Sequence, residues 1–179
     1  VGACDVAQIP VGGGEPLGRL RKELEVNASI RPARSVAGIS THPRPIDCVV
    51  VREVTEGLYS GIEYEAGPDA ACAVRLITRG ASTRAAKVAF EQARMRRKRV
   101  TAVHKVGALK LTDGLFLEAV RAVAVNYPDV ELETANIDAC AMHMVQDPEH
   151  FDVILATNVF GDILSDIAVG LAAGLRRAP

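Results

Sequence analysis

The chain has 179 residues, of which 49% are hydrophobic and 24% charged, with a formal net charge of −1. That length suits one ordinary domain or part of a larger one. The composition supports a substantial core, and the charge balance gives no general attraction to nucleic acid or an anionic membrane. No apolar run is long enough to span a membrane, no signal peptide opens the chain, and Cys4, Cys48, Cys72 and Cys140 lack CxxC or zinc-finger spacing. The expectation is a chain of the cytoplasm or an organelle matrix, with reduced and buried thiols and neither nucleic-acid nor membrane partners.

The opening, Pro10 to Pro16, is a loop around Gly12-Gly13-Gly14 that lacks the GK[ST] ending of a phosphate loop. A short helix is expected over Leu17–Leu24 and an extended segment over Ile30–Val36. The run DCVVVRE, Asp47–Glu53, reads as a fully buried strand, and Ala70–Thr78 as a more alternating one. Helical periodicity with a Ser/Thr start covers Ser82–Arg97. Then the pattern becomes regular: strand Val100–His104, helix Gly114–Asn126, strand Val130–Asp138, helix Ala139–Val145, strand Phe151–Ala156, helix Gly161–Leu175. Such alternation predicts an α/β fold, an open sheet with flanking helices. The basic cluster from Arg94 to Arg99 has no aromatic neighbours and falls where cations suit a helix C-terminus, so it is expected to be a solvated face.

Asp162 and Asp166 stand four residues apart at the start of the last helix, on one face. Two like charges that close are tolerated when a cation sits between them or water screens them. A hard divalent ion such as Mg²⁺ or Mn²⁺ suits oxygen ligands, although Asp at a helix start is also favourable without one. Other ionisable residues end apolar runs: Arg52 and Glu53 after one strand, Lys105 after His104 in another, Asp138 after a third. Ligands of open α/β sheets bind outside the carboxyl ends of strands, so together these residues define a candidate site. His42, His104, His143 and His150 have no metal-ligand spacing.

Four blocks, Val51–Gly61 (VREVTEGLYSG), Thr101–Lys105 (TAVHK), Leu111–Phe116 (LTDGLF) and Thr157–Asp166 (TNVFGDILSD), occur in an order that resembles the isocitrate/isopropylmalate dehydrogenase family, the metal-dependent decarboxylating dehydrogenases of 2-hydroxy acids. The resemblance runs from about Pro10 to Pro179 and is closest to the isocitrate and homoisocitrate members. It implies oxidative decarboxylation of a 2-hydroxy di- or tricarboxylic acid, with NAD or NADP and Mg²⁺ or Mn²⁺. It also implies roles: Arg21, Arg31 and Arg52 clamp substrate carboxylates, Tyr59 protonates the carbon left after CO₂ departs, and Lys105 moves protons at the hydroxyl. Asp138, Asp162 and Asp166 bind the metal. The family's lysine and first aspartate cross from a partner subunit, so the resemblance further implies a dimerisation arm and a homodimer or higher oligomer with shared active sites.

Three departures accompany the resemblance. Gly107 stands where the family usually has Asn, the loop after Gly14 is short, and the ending Arg176-Arg177 replaces a glycine-rich turn. The family's upstream strand–helix region and its downstream adenosine-binding segments do not match anything in the chain. Residues 1–179 are therefore expected to form a single partial domain, the central substrate-, metal- and dimer-forming portion, with cofactor-binding residues not identified. Two readings follow: a dehydrogenase, or a catalytically weak fragment or regulatory subunit that binds acid and metal but needs a complete partner chain.

Overall fold

The computed structural model describes residues 26–36, 38, 40 and 42–173. The expected helix over Leu17–Leu24, Arg21 and Cys4 lie outside the described residues. Strands β1 (Ala28–Arg34), β2 (Asp47–Glu53), β5 (Arg99–His104), β6 (Glu131–Asn136) and β7 (Val153–Ala156) form one sheet in the order β1-β2-β7-β5-β6. β1 runs antiparallel to β2, and the other pairings are parallel. The carboxyl ends of β2, β7, β5 and β6 therefore share one edge. A separate two-stranded hairpin, β3 (Glu63–Glu65) and β4 (Ala71–Ala73), stands apart with every strand residue exposed.

Helices α1 (Arg79–Arg94) and α2 (Lys110–Ala124) cover one face, and α3 (Ile137–Gln146) and α4 (Asn158–Ala173) the other. Alternation along β2 shows why the strands read as unbroken apolar runs. Val49 and Val51 enter the core under α1 and α2, while Cys48 and Val50 enter the one under α3 and α4. A parallel sheet covered on both faces has no solvated side to mark with polar residues. Ala81, Ala85, Ala86, Ala89 and Ala93 form the buried stripe of α1, and small side chains let a helix lie close to the sheet. Phe90 then stacks on Tyr127, with ring centroids 5.0 Å apart.

The expected α/β architecture is present, with informative shifts at the boundaries. Thr78 caps α1, its hydroxyl accepting from the Ala81 N–H at 3.2 Å, so the helix starts before Ser82. Lys98, at φ 61°, turns the chain from that helix into β5. The expected strand over Ala70–Thr78 shrinks to Ala71–Ala73, because Leu76 instead pairs with Gly57 in an isolated bridge and Thr78 is taken by the cap. Helix α2 begins at Lys110 rather than Gly114, which puts Asp113 in its first turn. Asp138 lies in the first turn of α3, not at the end of a strand, where the helix dipole favours a carboxylate. Cys48 and Cys140 are buried, and burial pushes both thiols up to about 12, but Cys72 is exposed on the hairpin, against expectation.

The basic cluster departs from a merely solvated face. Arg96 reaches Asp152 at 2.8 Å and Asp47 at 2.6 Å, Arg94 pairs with Asp129 at 2.9 Å, and Arg99 with Glu131 at 3.1 Å. Asp152, only 1% exposed, also accepts from the backbone N–H groups of Arg97 at 2.9 Å and Arg99 at 3.3 Å. Its carboxylate thus ties the end of α1 to the starts of β5 and β7, at the edge opposite the candidate site. Asp152→Ala removes a buried acceptor shared by these part-buried donors and is expected to cost about 2 kcal/mol. Urea unfolding checks this, and an unchanged midpoint would contradict it.

Candidate active site at the strand carboxyl ends

Arg52 ends β2 on the face under α4, and its side chain is 3% exposed. A guanidinium so buried needs fixed partners. Its Nε donates to Asn158 Oδ1 at 2.9 Å, and its Nη1 forms an ion pair with Asp162 Oδ1. Asn158 Nδ2 in turn donates to the Glu56 carbonyl at 2.8 Å, which holds the 53–57 turn against the start of α4. The close approach needs glycine at 161, since a Cβ there would lie 2.7 Å from Arg52 Cβ.

Inside the same turn, the Glu53 carboxylate accepts from Thr55 N at 2.6 Å and from the Thr55 hydroxyl, and Glu56 accepts from Thr78 N at 2.6 Å. Gly57 follows at φ 85° and delivers Leu58–Ser60 as a short 3₁₀ turn. Tyr59 on this turn donates its phenol to Asp162 Oδ2 at 2.6 Å, and the Arg52 Cζ lies 5.2 Å from its ring centroid. The neighbouring carboxylate, as acceptor and as negative charge, raises the Tyr59 phenol above its ordinary value, so the proton stays on the oxygen at neutral pH. Asp166, one turn further along α4, is exposed and makes no hydrogen bond or ion pair with the described residues.

A second group occupies the same edge, two and three strands away. Lys105 Nζ pairs with Asp138 Oδ1 at 2.6 Å, and that contact holds the Asp138 carboxyl below its ordinary value. His104, next to Lys105, is buried and its ring is held below the usual imidazole range, so it stays neutral. Its Nδ1 accepts from Val106 N at 3.1 Å, which helps to hold the turn after β5. At roughly 4.8 Å per strand, the Arg52 group and the Lys105–Asp138 pair stand on the order of 10–14 Å apart.

The structure thus brings Arg52, Tyr59 and Asp162 together, with Asp166 one turn on, and separately brings Lys105 to Asp138. Arg31 is three residues along β1 from the Ala28–Glu53 pair. It shares a sheet face with Arg52, and its Nε is 3.3 Å from Ser29 Oγ. Gly107 lies in the turn after Lys105, where a Cβ would meet nothing within 4 Å. Among the described residues no three His, Cys, Asp or Glu side chains gather where they could hold a metal ion. Asn158, Glu56 and Gly161 were not singled out in the sequence. Their roles are to hold Arg52 and its turn, and the signal for them was their place inside the Val51–Gly61 and Thr157–Asp166 blocks.

Asp162→Asn removes the negative charge that disfavours the phenolate, so the Tyr59 titration is expected to move down in pH. Ultraviolet difference titration against Tyr59→Phe, which isolates this phenol from Tyr64 and Tyr127, measures the shift. An unmoved or raised midpoint would contradict the assignment.

The isocitrate/isopropylmalate dehydrogenase family model matches residues 7–179. The chain is 50% identical over 162 residues to 3-isopropylmalate dehydrogenase of Archaeoglobus fulgidus, covering 90% of this chain and 49% of that protein. It is 44% identical over 182 residues to a probable mitochondrial NAD isocitrate dehydrogenase subunit alpha of Caenorhabditis elegans, covering 100% of this chain and 51% of that one. The crystal structure of isocitrate dehydrogenase from Methylococcus capsulatus superposes with a TM-score of 0.84 at 46% identity, covering 94% of this chain and 52% of that chain. The chain therefore spans about half the length of the curated relatives it matches. With a family model matching nearly the whole chain, relatives 44–50% identical and the same fold, this chain belongs to the isocitrate/isopropylmalate dehydrogenase family.

Proposed function

We propose that this chain carries substrate-, metal- and proton-handling residues of an NAD(P)-dependent, decarboxylating 2-hydroxy-acid dehydrogenase. The observation that carries the reading is the joining of Arg52, Tyr59 and Asp162 one helical turn from Asp166. Arg52 presents a guanidinium suited to a substrate carboxylate, with Arg31 on the same sheet face and Arg21 as the third expected arginine. Tyr59 holds its proton beside Asp162 and is the donor to the carbon that loses CO₂. Lys105, paired with Asp138, is the group that moves a proton at the C2 hydroxyl.

Asp162 and Asp166 would hold Mg²⁺ or Mn²⁺, hard cations matched to carboxylate oxygens. The fit is incomplete within one chain, because Asp138 sits at the far end of the edge with Lys105. Two copies sharing sites would supply the third carboxylate, and the exposed β3–β4 hairpin is the segment available as the dimerisation arm. A bound metal would supply Lewis-acid polarisation of the substrate C2 oxygen, and NAD or NADP would serve as the hydride acceptor.

The relatives named above include both an isopropylmalate and an isocitrate enzyme, and the Thr55–Tyr59 run favours a polar or acidic distal substituent, as in isocitrate or homoisocitrate. A second reading, a regulatory subunit, is favoured by one relative, the mitochondrial NAD isocitrate dehydrogenase regulatory subunit 1 of Arabidopsis thaliana, 44% identical over 168 residues. No described helix is long and apolar enough to cross a membrane, and mitochondrial relatives support an organelle matrix as one location, the cytoplasm being the other.

Asp162→Asn and Asp166→Asn are each expected to weaken Mn²⁺ binding at least tenfold with circular dichroism unchanged, since Asn keeps the side chain's size, its amide oxygen can still accept from Arg52 at 162, and position 166 is exposed. Equal affinity by calorimetry in the wild type and both variants would rule the site out. Binding competition with a panel of 2-hydroxy acids is expected to favour isocitrate or homoisocitrate over isopropylmalate. The reverse order would overturn the substrate reading, and tight binding with no turnover would favour the regulatory one.

A further inference from the structure

Arg75 has no place in the mechanism above, yet its guanidinium reaches residues beside two of the strand ends that carry the site. Its side chain is 14% exposed, and its Nη1 lies 2.6 Å from Oδ1 of the fully buried Asp113. The same Nη1 donates to Thr112 Oγ1 at 2.8 Å, while Nη2 donates to Thr157 Oγ1 at 3.0 Å. Its Cζ stands 5.2 Å from the Phe160 ring centroid.

These contacts lead to two strand ends, those of β5 and β7. The other carboxylate oxygen of Asp113 accepts the backbone N–H of Lys105 at 2.5 Å, so Arg75 holds the group that fixes the Lys105 turn. Thr157 is 3% exposed, immediately precedes α4, and its carbonyl accepts from Gly161 N at 2.7 Å, so the same guanidinium fixes the helix start that carries Asp162. The adjoining Leu76 exchanges backbone hydrogen bonds with Gly57, at 2.8 and 3.4 Å, just before Tyr59. A planar fork with two separately directed nitrogens can satisfy two partners at once, which an ammonium on a flexible stem does not reproduce.

We propose that Arg75 is a positioning residue that sets the Lys105 turn and the start of α4 in one register, fixing the spacing between Lys105 and the Tyr59–Asp162 group along the sheet edge. The consequence for catalysis rests on the dehydrogenase reading, but the register itself does not. Because the link runs through one side chain, a change at its Thr157 end should be felt at its Lys105 end.

Amide nuclear magnetic resonance on the full chain tests this. The Lys105 N–H, bonded to a buried carboxylate, is expected far downfield. Thr157→Val deletes only a hydroxyl on the α4 side and is expected to move that resonance, and Arg75→Lys, which keeps a charge beside Asp113, is expected to move it further. If the lysine variant fails to fold, the valine variant still decides. A Lys105 amide unmoved in Thr157→Val would overturn the proposal, including where the thermal midpoint falls, because that pattern is structural support alone. With 2-hydroxy acid, NAD⁺ and Mn²⁺, both variants are expected to lose kcat by roughly tenfold or more with KM little changed. A wild type that binds no Mn²⁺ and turns over no hydroxy acid would sink the dehydrogenase reading, while a Lys105 amide shifted by Thr157→Val would still uphold the register.

Discussion

Burial of one guanidinium constrains the rest of the site. Arg52 is placed at the carboxyl end of β2, under α4, where its charge is withdrawn from water and cannot be left without partners. Asn158 and Asp162 meet that need, and meeting it fixes the start of α4, the 53–57 turn, and through Asp162 the phenol of Tyr59. Gly161 is the steric condition, because any side chain there would collide with Arg52 itself. One electrostatic requirement thus brings together a guanidinium, a protonated phenol and a carboxylate, the groups for which substrate and metal roles are proposed.

The two edges of the sheet use charge differently. At the strand starts, Arg96, Asp47 and Asp152 pair with each other and with backbone groups, so their charges serve cohesion. At the strand ends, Asp166 is unengaged among the described residues and the Lys105–Asp138 pair is exposed, so charge there remains available to a ligand. Exposed pairs of that kind add little stability, which makes them easier to redirect on binding. Division of the ionisable groups into two clusters on one edge suits a site completed by a second copy of the chain.

Much of this was legible in the sequence because the periodicities are strong. The run Asp47–Glu53 gave its strand without error, since a doubly covered parallel strand has no polar face to confuse the reading. The helix starts were less legible. Thr78, Asn136 and Asn158 stand at those starts, while Ser82, Ala139 and Gly161 look equally plausible in a linear reading. Arg52, Tyr59 and Asp162 were found through their motifs, and their mutual contact depends on the pairing of β2 with β7, which no local pattern encodes. Arg75 and Asp113 were missed as a pair because 38 positions of sequence separate two residues that meet only when α2 packs beside α1, which Arg75 closely precedes. Asp113 sat inside a recognised block, but nothing in that block says its carboxylate is buried.

The central proposal is that copies of this chain share a metal site, with Asp162 and Asp166 from one copy and Asp138 from another. Mixing two separately inactivated chains tests it directly. Asp138→Asn and Asp162→Asn, each refolded alone, should bind Mn²⁺ poorly, whereas refolding them together should restore tight binding at one site per hybrid dimer. Restoration by mixing is the predicted result. A mixture that binds no better than either variant alone, while the wild type binds tightly, would contradict a site shared in this way.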